Sequence, residues 1–224
     1  MGLWLALLAL AALAVRRRWP GGGERDSADG RGAAAGADNN QREWSRKLVH
    51  IGTGAVVPLA WLLGIERDIA LAAAALITLL AGLNHRLRLL PAVEDVGRRS
   101  YGTVAYGAAI TLLLWLYWPQ QAACATAGVL VMALGDGLAG LLGSAWPSPS
   151  WQVLGQRRSL LGTATMGLAS LTSLGLLALV AGGPSSSSLL LIAATATLLE
   201  QAAVAGLDNL SVPLAVAWLW QQLS

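Results

Sequence analysis

Asp136 stands within Cys124 to Gly143, an apolar run of membrane-spanning length. A carboxylate at a helix centre in lipid costs about 2.5–3.5 kcal/mol even on lenient insertion scales, so it persists there paired, hydrated or bound to a cation. In Gly135-Asp136-Gly137-Leu138-Ala139-Gly140-Leu141-Leu142-Gly143, positions 136, 140 and 143 share one helical face and leave room for close approach. Helix packing alone accounts for the glycines. It leaves the aspartate unexplained. Two further acids fall within or at the end of apolar segments, Glu200 and Asp208, the latter followed by Asn209. The cations nearest to apolar segment starts are Arg46, Lys47, Arg157 and Arg158, with His50 one turn after Arg46. Acids and cations in this combination suit a polyphosphate with its divalent metal. Carboxylates hold Mg²⁺, which keeps part of its water and takes phosphate oxygens, while Lys and Arg neutralise charge on a transferring phosphoryl group. The stretch Gly155-Gln156-Arg157-Arg158-Ser159-Leu160-Leu161-Gly162-Thr163 reads as a glycine-flanked basic loop entering a helix, whose first N–H groups and dipole favour anions. It is not a Walker loop.

The elements that must position these groups follow from composition. With 55% hydrophobic residues, 12% charged and a mean hydropathy of +0.58, the chain reads as an all-α, polytopic integral membrane bundle. Apolar segments run at about Val49 to Gly64, Ile69 to Leu83, Tyr101 to Trp118, Gln121 to Gly143, Leu160 to Gly182, Leu189 to Gly206 and Leu210 to Leu223, which predicts about seven helices in one domain over residues 44–224. Leu3 to Val15 adds a short N-terminal helix within residues 1–18. No basic residue precedes it and Arg16, Arg17 and Arg18 follow, an order that favours a retained helix over a signal peptide. Residues 19–43, rich in Gly, Ala and Asp, read as a flexible linker. Trp44, Trp61, Trp115, Trp118, Trp146, Trp218 and Trp220 lie near segment ends and read as interfacial anchors. The single Cys124 rules out an intrachain disulfide.

Basic residues alternate between loops, clustering from Arg16 to Lys47, at Arg86, Arg88, Arg98 and Arg99, and at Arg157 and Arg158. The positive-inside bias therefore places Arg16 to His50, Asn84 to Ser100, Ala145 to Ser159 and Gly206 to Asn209 in the cytosol, and every polar group singled out above on that face. The net charge of +3 is dispersed over loops, which fits an anionic leaflet rather than a nucleic acid.

Five blocks in order resemble the polyprenol kinase family of phytol kinases, dolichol kinases and CTP-dependent diacylglycerol kinases. They are Ser45-Arg46-Lys47-Leu48-Val49-His50, Tyr101-Gly102-Thr103-Val104-Ala105-Tyr106-Gly107, Gly135-Asp136-Gly137-Leu138-Ala139, Arg158-Ser159-Leu160-Leu161-Gly162, and Glu200 with Asp208-Asn209-Leu210-Ser211-Val212-Pro213-Leu214. The first, second and last look most like the phytol kinase branch. One departure is Arg158, where the family usually carries lysine; a planar fork is not interchangeable with a compact ammonium. The resemblance implies transfer of the γ-phosphoryl group of a nucleoside triphosphate, usually CTP, to an isoprenoid alcohol such as phytol, geranylgeraniol or farnesol. It implies Asp136 and Asp208 as Mg²⁺ ligands or as the acceptor-orienting base, and Glu200 as a second metal or base candidate. Arg46, Lys47, Arg157 and Arg158 become phosphate neutralisers, with His50, Ser159, Gly162 and Asn209 in the substrate site.

Other classes use similar parts. A diacylglycerol or dolichol kinase would differ in acceptor, and a phosphatidate-type cytidylyltransferase would release pyrophosphate. A small transporter would also bury carboxylates, but transporters usually carry inverted repeats, and no internal repeat is visible.

Overall fold

The computed structural model describes residues 47–87 and 101–224, and within them the chain is nearly all helical. The helices are α1 (Lys47–Leu62), α2 (Arg67–Leu87), α3 (Gly102–Tyr117), α4 (Ala122–Ala145), α5 (Leu160–Ala181), α6 (Ser186–Ala202) and α7 (Asp208–Leu223). Each apolar segment of the sequence forms one of them, with ends shifted by a few residues. The N-terminal helix, the linker, Trp44, Arg46, Arg88, Arg98 and Arg99 lie outside the described residues.

Among the described residues three helices, α2, α4 and α5, are long and apolar enough to cross a membrane; α1 and α3 are shorter apolar helices. Their surroundings differ sharply. Of the most apolar window of α4, 72% is buried inside the protein, against 11% for α2, so α4 is the central helix and α2 lies at the periphery. Small residues let α4 take that place. Gly128 packs on the carbonyl of Pro213 in α7, Gly135 on Met166 and Ser170 of α5, and Gly137 on Ile51 of α1. A β-carbon at Gly128 would meet the backbone of α7 and force that helix outward, whereas at Gly135 and Gly137 it would displace the Met166 and Ile51 side chains.

Three expectations need correction. Residues 145–159, read as a loop, contain an antiparallel hairpin of β1 (Ser150–Val153) and β2 (Gln156–Ser159). Its two-residue turn, Leu154-Gly155, has positive φ at both positions, 48° and 76°, as a tight hairpin requires. Leucine rarely adopts that conformation, so the usual Asn-Gly or Asp-Gly signal is missing from the sequence. Secondly, the segment read as running to Gly206 ends as helix α6 at Ala202, and the chain turns through Ala205 and Gly206, again at positive φ, before Asp208 opens α7. Glu200 and Asp208 thus belong to different helices. Thirdly, Trp118 and Trp220 are core residues: each is 2% exposed, and the Trp118 indole donates to the Ile65 carbonyl at 3.0 Å. Trp115, Trp146 and Trp218 are exposed.

Candidate active site

The α-helical winding of α4 widens to a π-helix over Val131–Asp136, and Asp136 is the last residue of the widened segment. Such segments free carbonyls and redirect side chains, and they recur at functional sites. The Lys47 ammonium, from the first residue of α1, donates to Asp136 Oδ2 at 2.7 Å and to the Asp136 carbonyl at 3.2 Å. Gly140, one turn beyond, makes this possible, because the Lys47 stem fills the space that a β-carbon there would take. His50, also on α1, faces Oδ2 with Nε2 at 3.5 Å and pairs the same nitrogen with the Met132 carbonyl at 3.2 Å.

Glu200 approaches from the end of α6 and Asp208 from the start of α7. One carboxylate oxygen from each of Asp136, Glu200 and Asp208 lies within 4.8 Å of the others. Three like charges so close repel one another unless cations intervene. Two of the acids are paired within the chain: Asp136 with Lys47, and Glu200 with Arg158, whose Nη1 bonds to Oε1. Arg158 also donates from Nη2 to the carbonyls of Glu200 and Ala203, the latter at 3.0 Å. Gln201 ties Glu200 Oε2, at 2.8 Å, to Thr163 Oγ1 of α5 at 3.0 Å. Asp208 differs. Among the described residues it has no ion-pair partner, and its Oδ1 accepts the Asn209 backbone N–H at 3.0 Å and the Asn209 amide at 3.4 Å. Burial first, and the nearby Asp136 carboxylate second, raise the Asp208 carboxyl above its ordinary range. The Asn209 amide oxygen is buried without a partner among the described residues. Carboxylate and amide oxygens form a hard donor set, which suits a divalent cation such as Mg²⁺ and not a soft metal.

The basic hairpin divides its residues. Along β2 successive side chains alternate sides. Arg158 therefore reaches the acids while Arg157 is exposed and bonds to Ser150 Oγ at 3.3 Å. Ser159 caps α5, accepting from Gly162 N at 3.1 Å, and Gly162 packs against Gly143 and the Ala139 carbonyl. Leu160 N donates to Pro149 O at 2.9 Å and Leu161 N to Ser148 Oγ at 3.3 Å. The expectation that this helix start offers free N–H groups is thereby corrected, since the protein's own acceptors take all three.

The structure thus gathers Lys47, His50, Asp136, Arg158, Glu200, Asp208 and Asn209 in one place. Ser159 and Gly162 serve instead to cap α5 and pack it on α4, and Arg157 turns away. In the sequence Tyr106 stands out only as part of a resembling block. It is 6% exposed, and its ring lies 4.1 Å from that of His50. This helix carries two of the chain's three tyrosines, Tyr106 and Tyr117, and a phenol inside an apolar run was the available signal.

No protein-family model matches the sequence, and no solved structure matches it. A curated protein does: the chain is 41% identical over 185 residues, 79% of its length and 78% of the relative's, to the phytol kinase of Synechocystis sp. (strain ATCC 27184 / PCC 6803 / Kazusa). Identity at that level over most of both chains, together with a carboxylate and cation cluster fit for a phosphoryl group and its metal, makes this chain a member of the polyprenol kinase family on its phytol kinase side, a phosphotransferase with an alcohol acceptor.

Proposed function

We propose that the protein transfers the γ-phosphoryl group of CTP to an isoprenoid alcohol, phytol foremost, as a multi-pass membrane enzyme whose site faces the cytosol and uses Mg²⁺. The observation that carries this is the meeting of Asp136, Glu200 and Asp208 from three helices beside Lys47 and Arg158. The alcohol oxygen attacks the γ-phosphorus, the bond from that phosphorus to the bridging β-oxygen breaks, and the hydroxyl proton passes to the Asp208 carboxylate. The products are a phosphate monoester and CDP. When bound, Mg²⁺ neutralises phosphate charge and orients the oxygens for in-line displacement. Asp136 and Asp208 are its ligands from this chain. Asp208, whose charge no side chain among the described residues pairs, also orients the acceptor hydroxyl. Lys47 holds Asp136 and presents positive charge to the phosphates. Arg46 serves the same purpose in this reading, whereas Arg157, turned away from the acids and bonded to Ser150, does not.

The membrane setting is supported by the outward-facing apolar side chains, among them Leu62, Leu179 and Val180, each at least 80% exposed. Exposed apolar area on that scale needs a covering. An isoprenoid chain partitions into lipid at about 0.8 kcal/mol per buried CH₂, so an enzyme that phosphorylates its hydroxyl works at the interface. The test is direct. Membranes containing the protein, given Mg²⁺, γ-labelled CTP and phytol, yield labelled phytyl monophosphate and unlabelled CDP. Faster phosphorylation of diacylglycerol than of any isoprenoid alcohol would move the chain to the lipid kinases, and incorporation of α-label with release of pyrophosphate would make it a cytidylyltransferase.

A further inference from the structure

Two groups that face His50 Nε2, the Met132 carbonyl at 3.2 Å and the Asp136 carboxylate at 3.5 Å, are acceptors only. A hydrogen bond between them and the ring therefore requires the proton on Nε2. Met132 lies within the π-helical segment that ends at Asp136, where the widened winding gives its carbonyl room for a donor from another helix. Behind the imidazole stands Tyr106 of α3. Its ring is tilted 31° to that of His50 at 4.1 Å, and its hydroxyl lies 3.5 Å from the His50 carbonyl. Gly54, one turn further along α1, leaves the space: a β-carbon there would collide with Ala133 of the same π segment and crowd the Tyr106 hydroxyl. Thus α1 grips the widened turn at two points, with Lys47 on Asp136 and His50 on Met132. Tyr106 fixes the second grip.

We infer that His50 is a positioning residue: backed by Tyr106, it donates from Nε2 to the π segment and so aims the Asp136 carboxylate at Asp208 and Glu200, without itself contacting nucleotide or alcohol. The inference rests on the proposed role of Asp136 in phosphoryl transfer. Misplacement of a reacting group by about 1 Å costs on the order of 100-fold in rate, which sets the expected effect.

The full chain in nanodiscs is compared as His50→Ala, His50→Gln and Tyr106→Leu. His50→Gln keeps an N–H donor near the position of Nε2 but carries neither charge nor a titratable proton. It restores most of the turnover lost in His50→Ala, while KM for CTP moves less than about threefold in either, against a loss in kcat near 100-fold for alanine. Tyr106→Leu lowers kcat in the same direction. Glutamine as inactive as alanine, or a loss confined to KM for CTP, overturns the inference in favour of proton transfer or phosphate binding. An independent readout needs neither turnover nor a folded alanine variant. In ¹⁵N-histidine spectra of the wild-type chain, the signals missing from His50→Gln belong to His50, and its Nε2 carries a proton. An unprotonated Nε2 overturns the placement even if the enzyme is active, and a protonated one supports it even if phytol is not the acceptor.

Discussion

Replacing Arg158 by lysine keeps the charge and removes the fork. Arginine binds three oxygens here, one on the Glu200 side chain and the carbonyls of Glu200 and Ala203. An ammonium at the end of a straighter stem can pair with the carboxylate but cannot span all three. Hydrogen bonds from charged donors contribute about 1.5–3 kcal/mol each. Both partners are largely shielded, with side chains 15% and 8% exposed, so solvent screening reduces that figure little. Because water repairs part of the loss at the helix end, Arg158→Lys is expected to destabilise the fold by about 1.5–3 kcal/mol in total. Arg158→Ala leaves Glu200 buried without its cation, next to two other acids, and falls in the range of about 3–5 kcal/mol for a broken buried pair. Thermal unfolding in nanodiscs reads the stabilities, and limited proteolysis reads the hairpin that Arg158 anchors to α6. Activity follows the same order, arginine above lysine above alanine. A lysine variant equal to the wild type in unfolding, proteolysis and turnover would refute the fork argument and return Arg158 to a simple positive charge. An alanine variant with normal activity would remove Arg158 from the site altogether.

Gly140→Ala should fold normally yet lose about tenfold or more in turnover, because its methyl displaces only the flexible end of Lys47 and with it the bond to Asp136. Unchanged kcat with an intact fold contradicts a role for that pair. Asp136→Asn keeps the shape and removes the charge, so it should insert and lose nearly all phosphorylation of phytol; near-normal rates would assign the aspartate to packing. Chelation of divalent metal should abolish turnover, and Mn²⁺ bound to the folded protein, followed by its electron paramagnetic spectrum, should weaken in Asp208→Asn. Metal-independent turnover refutes this. For topology, Gln152→Cys and Ser187→Cys in a Cys124→Ala background should be labelled from opposite sides of sealed vesicles, and labelling from a single side would contradict the orientation read from the basic loops.

The apolar segments were legible because a helix in an apolar setting needs only an uninterrupted run of suitable length, which is a local property of the chain. Asp136, Glu200 and Asp208 were legible for a related reason: a carboxylate in or beside such a run is costly wherever it is, whatever its partner. The partners were not legible. Lys47 and Asp136 are 89 residues apart and Arg158 and Glu200 are 42 apart, so which cation meets which acid depends on how helices pack. Arg157 and Arg158 are equivalent as adjacent charges and become opposites only when a strand sends their side chains to different sides. The hairpin itself escaped notice because its turn uses Leu154, a residue the backbone at positive φ normally disfavours. At the start of α5, the anion-seeking N–H groups implied by sequence are closed by Ser148, Pro149 and Ser159, acceptors that only the folded loop brings within reach. Composition and spacing thus marked acids and cations within or beside the helices of an apolar bundle. Tertiary packing decided their pairing, placed Tyr106 behind His50, and left Asp208 as the acid of the three without an ion-pair partner among the described residues, because those outcomes depend on distances between helices that no local pattern encodes.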